Sequence, residues 1–319
     1  METKPIPFSS EHFSLYPLAD GVYAAIASEA GAAIANAGII DLGDRTVLFD
    51  TFLTPQAGRD LLRAARQLTD REPQIIVNSH YHNDHIWGNQ AFSDSAHIVS
   101  TEKTRRLIQT AGQEEFRSAR EDSAQQLEEF RKKYETAQDE RQRREDRLWL
   151  RYYQALVDNA PDLRVRLPDI TFQNRLKIHG SSRTVELIPF ERAHSGDDSI
   201  LYLCDENIIF AADLLFVNYH PFLAEGDPDQ LTSALHQISS MSAKMLVPGH
   251  GFVGTSQDIE SNIEYISMCV NIAKQLVAEG DTSWERIARQ SLPEEFSTWH
   301  LSRFFEINMK SLAGRFSKK

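Results

Sequence analysis

The run His80-Tyr81-His82-Asn83-Asp84-His85 puts four metal-competent side chains into six consecutive positions. Neutral imidazoles and a carboxylate are ligands that zinc and similar borderline cations take. Histidine is scarce here, 11 of 319 residues, so composition alone would not gather three of them so closely. A histidine-rich surface turn is the bland alternative, and residues further along the chain argue against it. His194 opens the turn Ala193-His194-Ser195-Gly196-Asp197-Asp198. Asp213 ends the apolar run Ile208-Ile209-Phe210-Ala211-Ala212, and His250 lies in Val247-Pro248-Gly249-His250-Gly251. The first cluster likewise follows an apolar run, Gln74-Ile75-Ile76-Val77-Asn78. Apolar strand, sharp turn and metal-competent residue therefore recur together, and strand ends are where layered α/β proteins collect ligands. A structural zinc is usually closed by four ligands, often with Cys among them. The larger set here, His80, His82, Asp84, His85, His194, Asp213 and His250, suits two metals instead.

In order and rough spacing, His80-x-His82-x-Asp84-His85, then His194, Asp213 and Pro248-Gly249-His250-Gly251, resemble the signature of the metallo-β-lactamase-fold hydrolases across about residues 21–254. The resemblance implies that His80, His82 and His194 hold one metal. It gives Asp84, His85 and His250 to a second and makes Asp213 the bridge. Sequences similar to the best-known secreted lactamases carry Cys in place of Asp213 and a Lys shortly after it. This chain has Asp and no such Lys, so its site looks closer to that of glyoxalase II and its relatives. Two divalent ions are implied, zinc first, with iron or manganese admissible because no soft ligand is present. In related sequences an acid placed like Asp50 resembles a supporting partner of a ligand histidine.

The expected chemistry is hydrolysis. Two cations sharing a water lower its pKa to about 7. A metal-bridging hydroxide would then attack a small carbonyl substrate: an ester, thioester, lactone or β-lactam. The metals would stabilise the tetrahedral oxygen. Asp84 is expected both to bind metal and to orient the nucleophile. Residues 216–222 form an aromatic loop after Asp213, in which Tyr219 or His220 could donate to the carbonyl oxygen or leaving group. A lone histidine outside the ligand set is more often structural. Trp87 and Asn89 follow the first motif and are candidates to line the substrate groove, although Trp87 reads equally as core. A phosphodiesterase or nuclease could use the same site, as could a mononuclear iron oxygenase acting on a persulfide. The first would want a basic groove and the second would not need Asp84, His85 and His250. A non-catalytic scaffold usually loses ligands, and none is lost. There is no Gly-x-Ser-x-Gly elbow, Walker loop or dinucleotide fingerprint.

The formal net charge of −12 argues against nucleic-acid or anionic-membrane partners, which would need a basic face. A small-molecule substrate is expected instead. No run approaches a membrane span and the first residues lack a signal-like apolar stretch, so cytoplasm is the default location. Cys204 and Cys269 read as buried small hydrophobes. The elements needed to position the ligands alternate. Strands are expected at residues 21–27, 34–41, 46–50, 74–78, 96–100, 184–189, 199–203, 207–212 and 244–247. Helices are expected at 55–68, 229–239 and 257–278. The pattern gives α/β or α+β; the resemblance implies a four-layer αββα sandwich, formed by a single domain over 1–319. Residues 102–165 read as a helical insertion, charged on most faces, with a stripe of Leu127, Phe130, Tyr134 and Ala137. It could be a solvated pair of helices, a lid or, over 102–153, a homodimer contact. Residues 256–319 read as a helical extension that docks on the core or on a partner chain, since Trp284, Ile287, Leu301, Phe304, Phe305, Ile307 and Met309 make it too apolar for a tail.

Overall fold

The computed structural model describes residues 4–280, 283, 286–287 and 292–317. Trp284 lies outside the described residues. The first sheet contains β1 (Phe13–Ala19), β2 (Val22–Ala27), β3 (Ala37–Asp41), β4 (Thr46–Phe49), β5 (Ile75–Val77), β6 (His97–Thr101) and β7 (Ile170–Phe172), paired in that order. β1 to β4 are antiparallel and β4 to β7 parallel. The second sheet contains β8 (Leu176–His179), β9 (Thr184–Glu191), β10 (Asp197–Leu203), β11 (Ile208–Phe216) and β12 (Met245–His250). Its order is β12-β11-β10-β9-β8, with β11 and β12 parallel.

Side-chain alternation builds the layers, because successive residues of a strand face opposite sides. Ile40, Val47, Phe49, Val77 and Val99 meet Leu187, Leu201, Phe210 and Val247 between the sheets. Their neighbours Ile39, Leu48, Ile76 and Ile98 pack on Leu61 and Ala65 of helix α1 (Pro55–Thr69). Ile200 and Ile209 face away from the first sheet, toward Leu235 of α6 (Pro228–Ser240), Tyr265 of α7 (Ser256–Ala278) and Met309 of the C-terminal helix Arg303–Phe316. The result is helix, sheet, sheet, helix, the expected αββα sandwich. Helix ends follow local chemistry. Thr54 accepts a hydrogen bond from Ala57 N at 3.2 Å and Pro55 fills the first turn of α1, while Thr255 and Asp258 form a capping box on α7.

Three strands were not expected: β1, β7 and β8. β7 is three residues long, and β8 alternates half-buried with exposed side chains at a sheet edge. β11 runs past its expected end at residue 212. Ala212 adopts a left-handed conformation (φ 46°) where the register with β12 shifts, and the strand then resumes to Phe216. Asp213 therefore sits inside a kinked strand, not at its end. Cys269 is buried as expected, whereas Cys204 is exposed because β10 has already ended at Leu203.

The insertion forms α3 (Glu102–Gln109), α4 (Ala111–Thr136) and α5 (Glu140–Asn159), the last two antiparallel neighbours. Its narrow apolar stripe joins these helices. Leu127, Phe130 and Ala137 are buried, and Phe130 stacks on Trp149 and Tyr153 at 5.8 and 5.4 Å. α5 also clasps two distant segments. Arg144 Nη2 lies 2.7 Å from Glu29 Oε1 and 2.7 Å from His300 Nε2, and Glu145 accepts from the backbone N–H of Leu301 and Ser302 at 3.2 and 2.8 Å. Ile287, Phe305 and Met309 of the C-terminal region join the outer core of the second sheet. No helix among the described residues is long and apolar enough to cross a membrane.

A 3₁₀ turn over Trp87–Ala91 follows the first ligand motif. There Gly88 passes so close to the strand end at Thr51 that a Cβ would lie 1.8 Å from Thr51 O. Backbone, not a flexible side chain, would have to yield. Gly88→Ala should therefore cost at least about 2 kcal/mol, read as a lower urea midpoint with an unchanged slope. An unchanged midpoint would refute this close approach.

Candidate metal centre

Each ligand-competent side chain is delivered by a chain reversal at the same edge of the sandwich. His80 and His82 follow β5, and Asp84 and His85 lie on the short helix α2 (Asn83–Ile86). His194 lies between β9 and β10, Asp213 at the kink in β11, and His250 at the end of β12. The structure brings all of them together in two groups. His80, His82, His194 and Asp213 form one, and Asp84, His85 and His250 the other, each with ligand atoms within 4.8 Å of one another.

Asp213 joins the groups. Its Oδ2 lies 3.2 Å from His194 Nε2, and its Oδ1 lies 3.1 Å from His85 Nε2 and 3.5 Å from His250 Nε2. His250 Nε2 is also 3.4 Å from Asp84 Oδ2. In the first group, His82 Nδ1 lies 3.0 Å from His80 Nε2 and 3.1 Å from His194 Nε2.

The surrounding hydrogen bonds settle where the imidazole protons sit. Asp50 is fully buried and accepts from Ser79 N, Ser79 Oγ and His85 Nδ1 at 2.8, 2.7 and 2.8 Å. The neutral form of His85 therefore turns a lone pair on Nε2 toward Asp213, itself an acceptor, and the protonated form donates there. Ser79 Oγ, having given its proton to Asp50, accepts from His80 Nδ1 at 2.9 Å, which leaves His80 Nε2 as a lone pair. Glu225 Oε2 takes the Nε2 proton of His82 at 3.2 Å and the hydroxyl of Tyr81 at 2.5 Å. His82 Nδ1 then faces His80 with a second lone pair. His85 Nε2 and Asp213 Oδ1 are buried with no hydrogen-bond partner. Lone pairs converging in buried space are what a cation, or a proton, must bridge. The residues present fit bound metal on this ground.

The electrostatics agree. Burial holds His80 well below the ordinary histidine range and pushes His194 down to about 3, so both are neutral, ligand-ready imidazoles. Burial also opposes charge on His82, but Glu225 raises it to about 9. For His85, burial is outweighed by Asp213, Asp84 and Asp50, which hold it well above its usual value. Without a cation these two histidines take up protons instead.

Backbone strain supports the arrangement. Asp50 and Ala212 adopt left-handed conformations (φ 60° and 46°), which persist only where packing enforces them. Gly249 is required for a different reason: a Cβ there would lie 1.8 Å from Asp213 Oδ1. Several contributors escaped the sequence reading. Asn36 donates to Pro248 O and Gly251 O, both at 2.9 Å, bracketing the His250 turn. Asp198 accepts from the N–H groups of His194 and Ser195. Its Ser195-x-x-Asp198 spacing was a visible turn signal. Glu225, Asn36 and Ser79 had none.

A cavity of about 740 Å³ opens over the cluster, with Asp84, Asp213, His82, His194, His250 and Tyr219 in its wall. The Tyr219 ring lies 6.2 Å from that of His250, and burial pushes its hydroxyl up to about 12, so it is a neutral donor. The other candidate substrate residues do not line the cavity. His220 is fully buried against Tyr265 and Trp299, and burial pushes it down to about 3. Val217, Asn218, Tyr219 and Phe222 of the loop line the cavity, while His220 turns into the core. Trp87 is core, edge-on to Phe116 at 5.9 Å. Asn89 is buried and bonded to Thr51 and Asn78 at 2.9 and 2.8 Å, a strut between strand ends. His220, Asn89 and Trp87, the last of which read equally as core, therefore lie outside the cavity wall.

A search of curated proteins finds no match. Among solved structures the chain is similar to a metallo-beta-lactamase from Pontibacter korlensis, at 16% identity and TM-score 0.58, covering 80% of this chain and 99% of that one. It is also similar to the DIM-1 metallo-beta-lactamase exposed to ceftazidime, at 14% identity and TM-score 0.55, covering 81% and 97%. At such identities the likeness concerns the fold. The metallo-beta-lactamase superfamily model matches residues 30–250, more than half of the chain and the whole span of the ligand cluster. The chain therefore belongs to the metallo-beta-lactamase superfamily and is a metallo-hydrolase.

Proposed function

We propose that the protein hydrolyses small carbonyl compounds (esters, thioesters, lactones or lactams) with a pair of divalent cations, zinc in the first instance. The observation that carries this is Asp213, whose two oxygens face two complete sets of ligand atoms. His80, His82 and His194 would hold one cation, Asp84, His85 and His250 the other, with Asp213 shared. The donor set is imidazole and carboxylate only, so iron or manganese could substitute. When bound, such a pair acidifies water and polarises a carbonyl.

The chain's own residues do the rest. Asp50 and Glu225 fix the ring orientations of His85 and His82 by taking their outer protons. Asp84 reaches into the cavity and offers a carboxylate to orient an attacking water and take its proton. The neutral Tyr219 hydroxyl can donate to a leaving group or carbonyl oxygen. Two features weigh against other chemistry on this site. The second ligand group is complete, which a mononuclear iron oxygenase would not need. Glu29, Glu114 and Glu225 line the cavity, which disfavours a nucleic-acid phosphodiester.

Metal analysis of the purified protein should give about two divalent ions per chain. Hydrolysis of a panel of chromogenic esters, thioesters, lactones and lactams should disappear on exhaustive chelation and return with zinc. Turnover that survives chelation would refute the proposal. Asp84→Ala should lose all turnover on the best substrate while the protein stays folded; a wild-type rate would rule out this role for Asp84.

The proton positions give a separate expectation. His82, held up to about 9 by Glu225, is protonated at pH 7 in the metal-free protein, and His85 is raised likewise. A cation must displace those protons, so binding should release protons at pH 7 and tighten as pH rises toward 9. Calorimetry in buffers of different ionisation enthalpy reads this directly. A buffer-independent enthalpy would contradict the assignment.

A further inference from the structure

We propose that this active site takes uncharged carbonyl compounds that carry a bulky apolar chain, seated in the space between α5, the C-terminal segment and the loop after β11. The inference deepens the hydrolytic role proposed above and rests on it for the reacting group alone.

The cavity volume of about 740 Å³ falls in the range of sites that enclose a drug-sized ligand. Its far wall is apolar: Leu148, Trp149 and Tyr152 from α5, Phe222 from the loop, and Leu301 and Phe304 from the C-terminal segment. All six are only half-buried. The aromatic surface is continuous with the metal ligands. Trp149 meets Phe304 edge-on at 5.6 Å, Phe304 meets Phe222 at 5.2 Å, and Phe222 lies 6.1 Å from the rings of both His82 and His194. A chain attached to a carbonyl at the ligand cluster would run along this surface.

Charge selects against an acidic substrate. Glu29, Glu114 and Glu225 line the cavity as carboxylates, while burial pushes Glu115 up to about 8 and leaves it largely neutral. Among the described lining residues, Arg151 is the one lysine or arginine, and its guanidinium is engaged by Ala30 O. Arg144, close by, is held by Glu29. A distal carboxylate or phosphate would enter a space whose wall carries more carboxylates than guanidinium groups, with Arg151 the one arginine and part of its hydrogen bonding already given to Ala30 O, which is costly. The wall is also fixed in advance. Arg144 ties α5 to the loop at Glu29, and Glu145 ties it to Leu301 and Ser302. Little ordering is then left for binding to accomplish.

Two measurements on the metal-loaded protein test this. The first is calorimetric titration with linear primary amides of increasing length, which are uncharged and need no turnover to be read. Kd should fall about threefold to fourfold for each added methylene, as for burial of CH₂, until the cavity is filled. The second is hydrolysis of 4-nitrophenyl esters from acetyl to decanoyl, beside an ester of equal length ending in a carboxylate. kcat/KM should rise along the series and fall at least tenfold with the terminal carboxylate. Trp149→Ala should flatten both series, and the milder Phe304→Leu should flatten them less while keeping the helix. Amide binding that ignores chain length, or equal turnover of the carboxylate-ended ester, would overturn the proposal. Loss of all ester turnover with chain-dependent amide binding intact would instead overturn the hydrolytic role and leave the apolar site standing. Chain-blind turnover would do the reverse.

Discussion

Asp213 is a buried carboxylate facing His85 Nε2 at 3.1 Å, and His85 has already given its other ring proton to Asp50. A proton or a cation must therefore stand between His85 Nε2 and Asp213. The same need recurs between His80 Nε2 and His82 Nδ1 at 3.0 Å, fixed from outside by Ser79 and Glu225. Buried groups of this kind demand a positive partner, a proton or a cation, and the rest of the architecture can be understood as the means of holding them in place for it.

That holding begins in the backbone. Both sheets end their strands at one edge, and the approach there is tighter than ordinary side chains allow. Gly249 leaves room for Asp213, Gly88 lets the motif helix lie against Thr51, and Asn36 crosses from the first sheet to brace the turn at His250. Left-handed residues at Asp50 and Ala212 carry local strain beside the ligands they orient. Rigid, overdetermined surroundings of this kind hold the ligand side chains in fixed positions relative to one another.

Much of this was legible in the sequence because metal ligation needs particular side chains at particular reversals. His80, His82, Asp84, His85, His194, Asp213 and His250 could be named from type and spacing, and period-2 apolar runs located most strands around them. The cavity wall was not legible. Trp149 and Tyr152 lie on a helix whose charged faces dominate the pattern, and only the docking of α5 on the apolar C-terminal segment brings Trp149 against Phe304. An aromatic-rich loop announces proximity to a site, but the irregular path of residues 217–222 decides which side chains enter it, and His220 points into the core. Asn89 and Trp87, adjacent to the motif in sequence, are turned away by the 3₁₀ geometry that follows it. Glu225, which orients His82, comes from 143 positions away and carries no local signature.

The ligands are divided between the two sheets. His80 to His85 follow the first, while His194, Asp213 and His250 belong to the second. Any ion held by both sets would act as a fastener across the interior of the molecule. It would favour the assembled halves over the separated ones by its own binding free energy, about 2.7 kcal/mol when free ion exceeds its dissociation constant a hundredfold. Scarcity of metal would then loosen the body of the protein along with its chemistry.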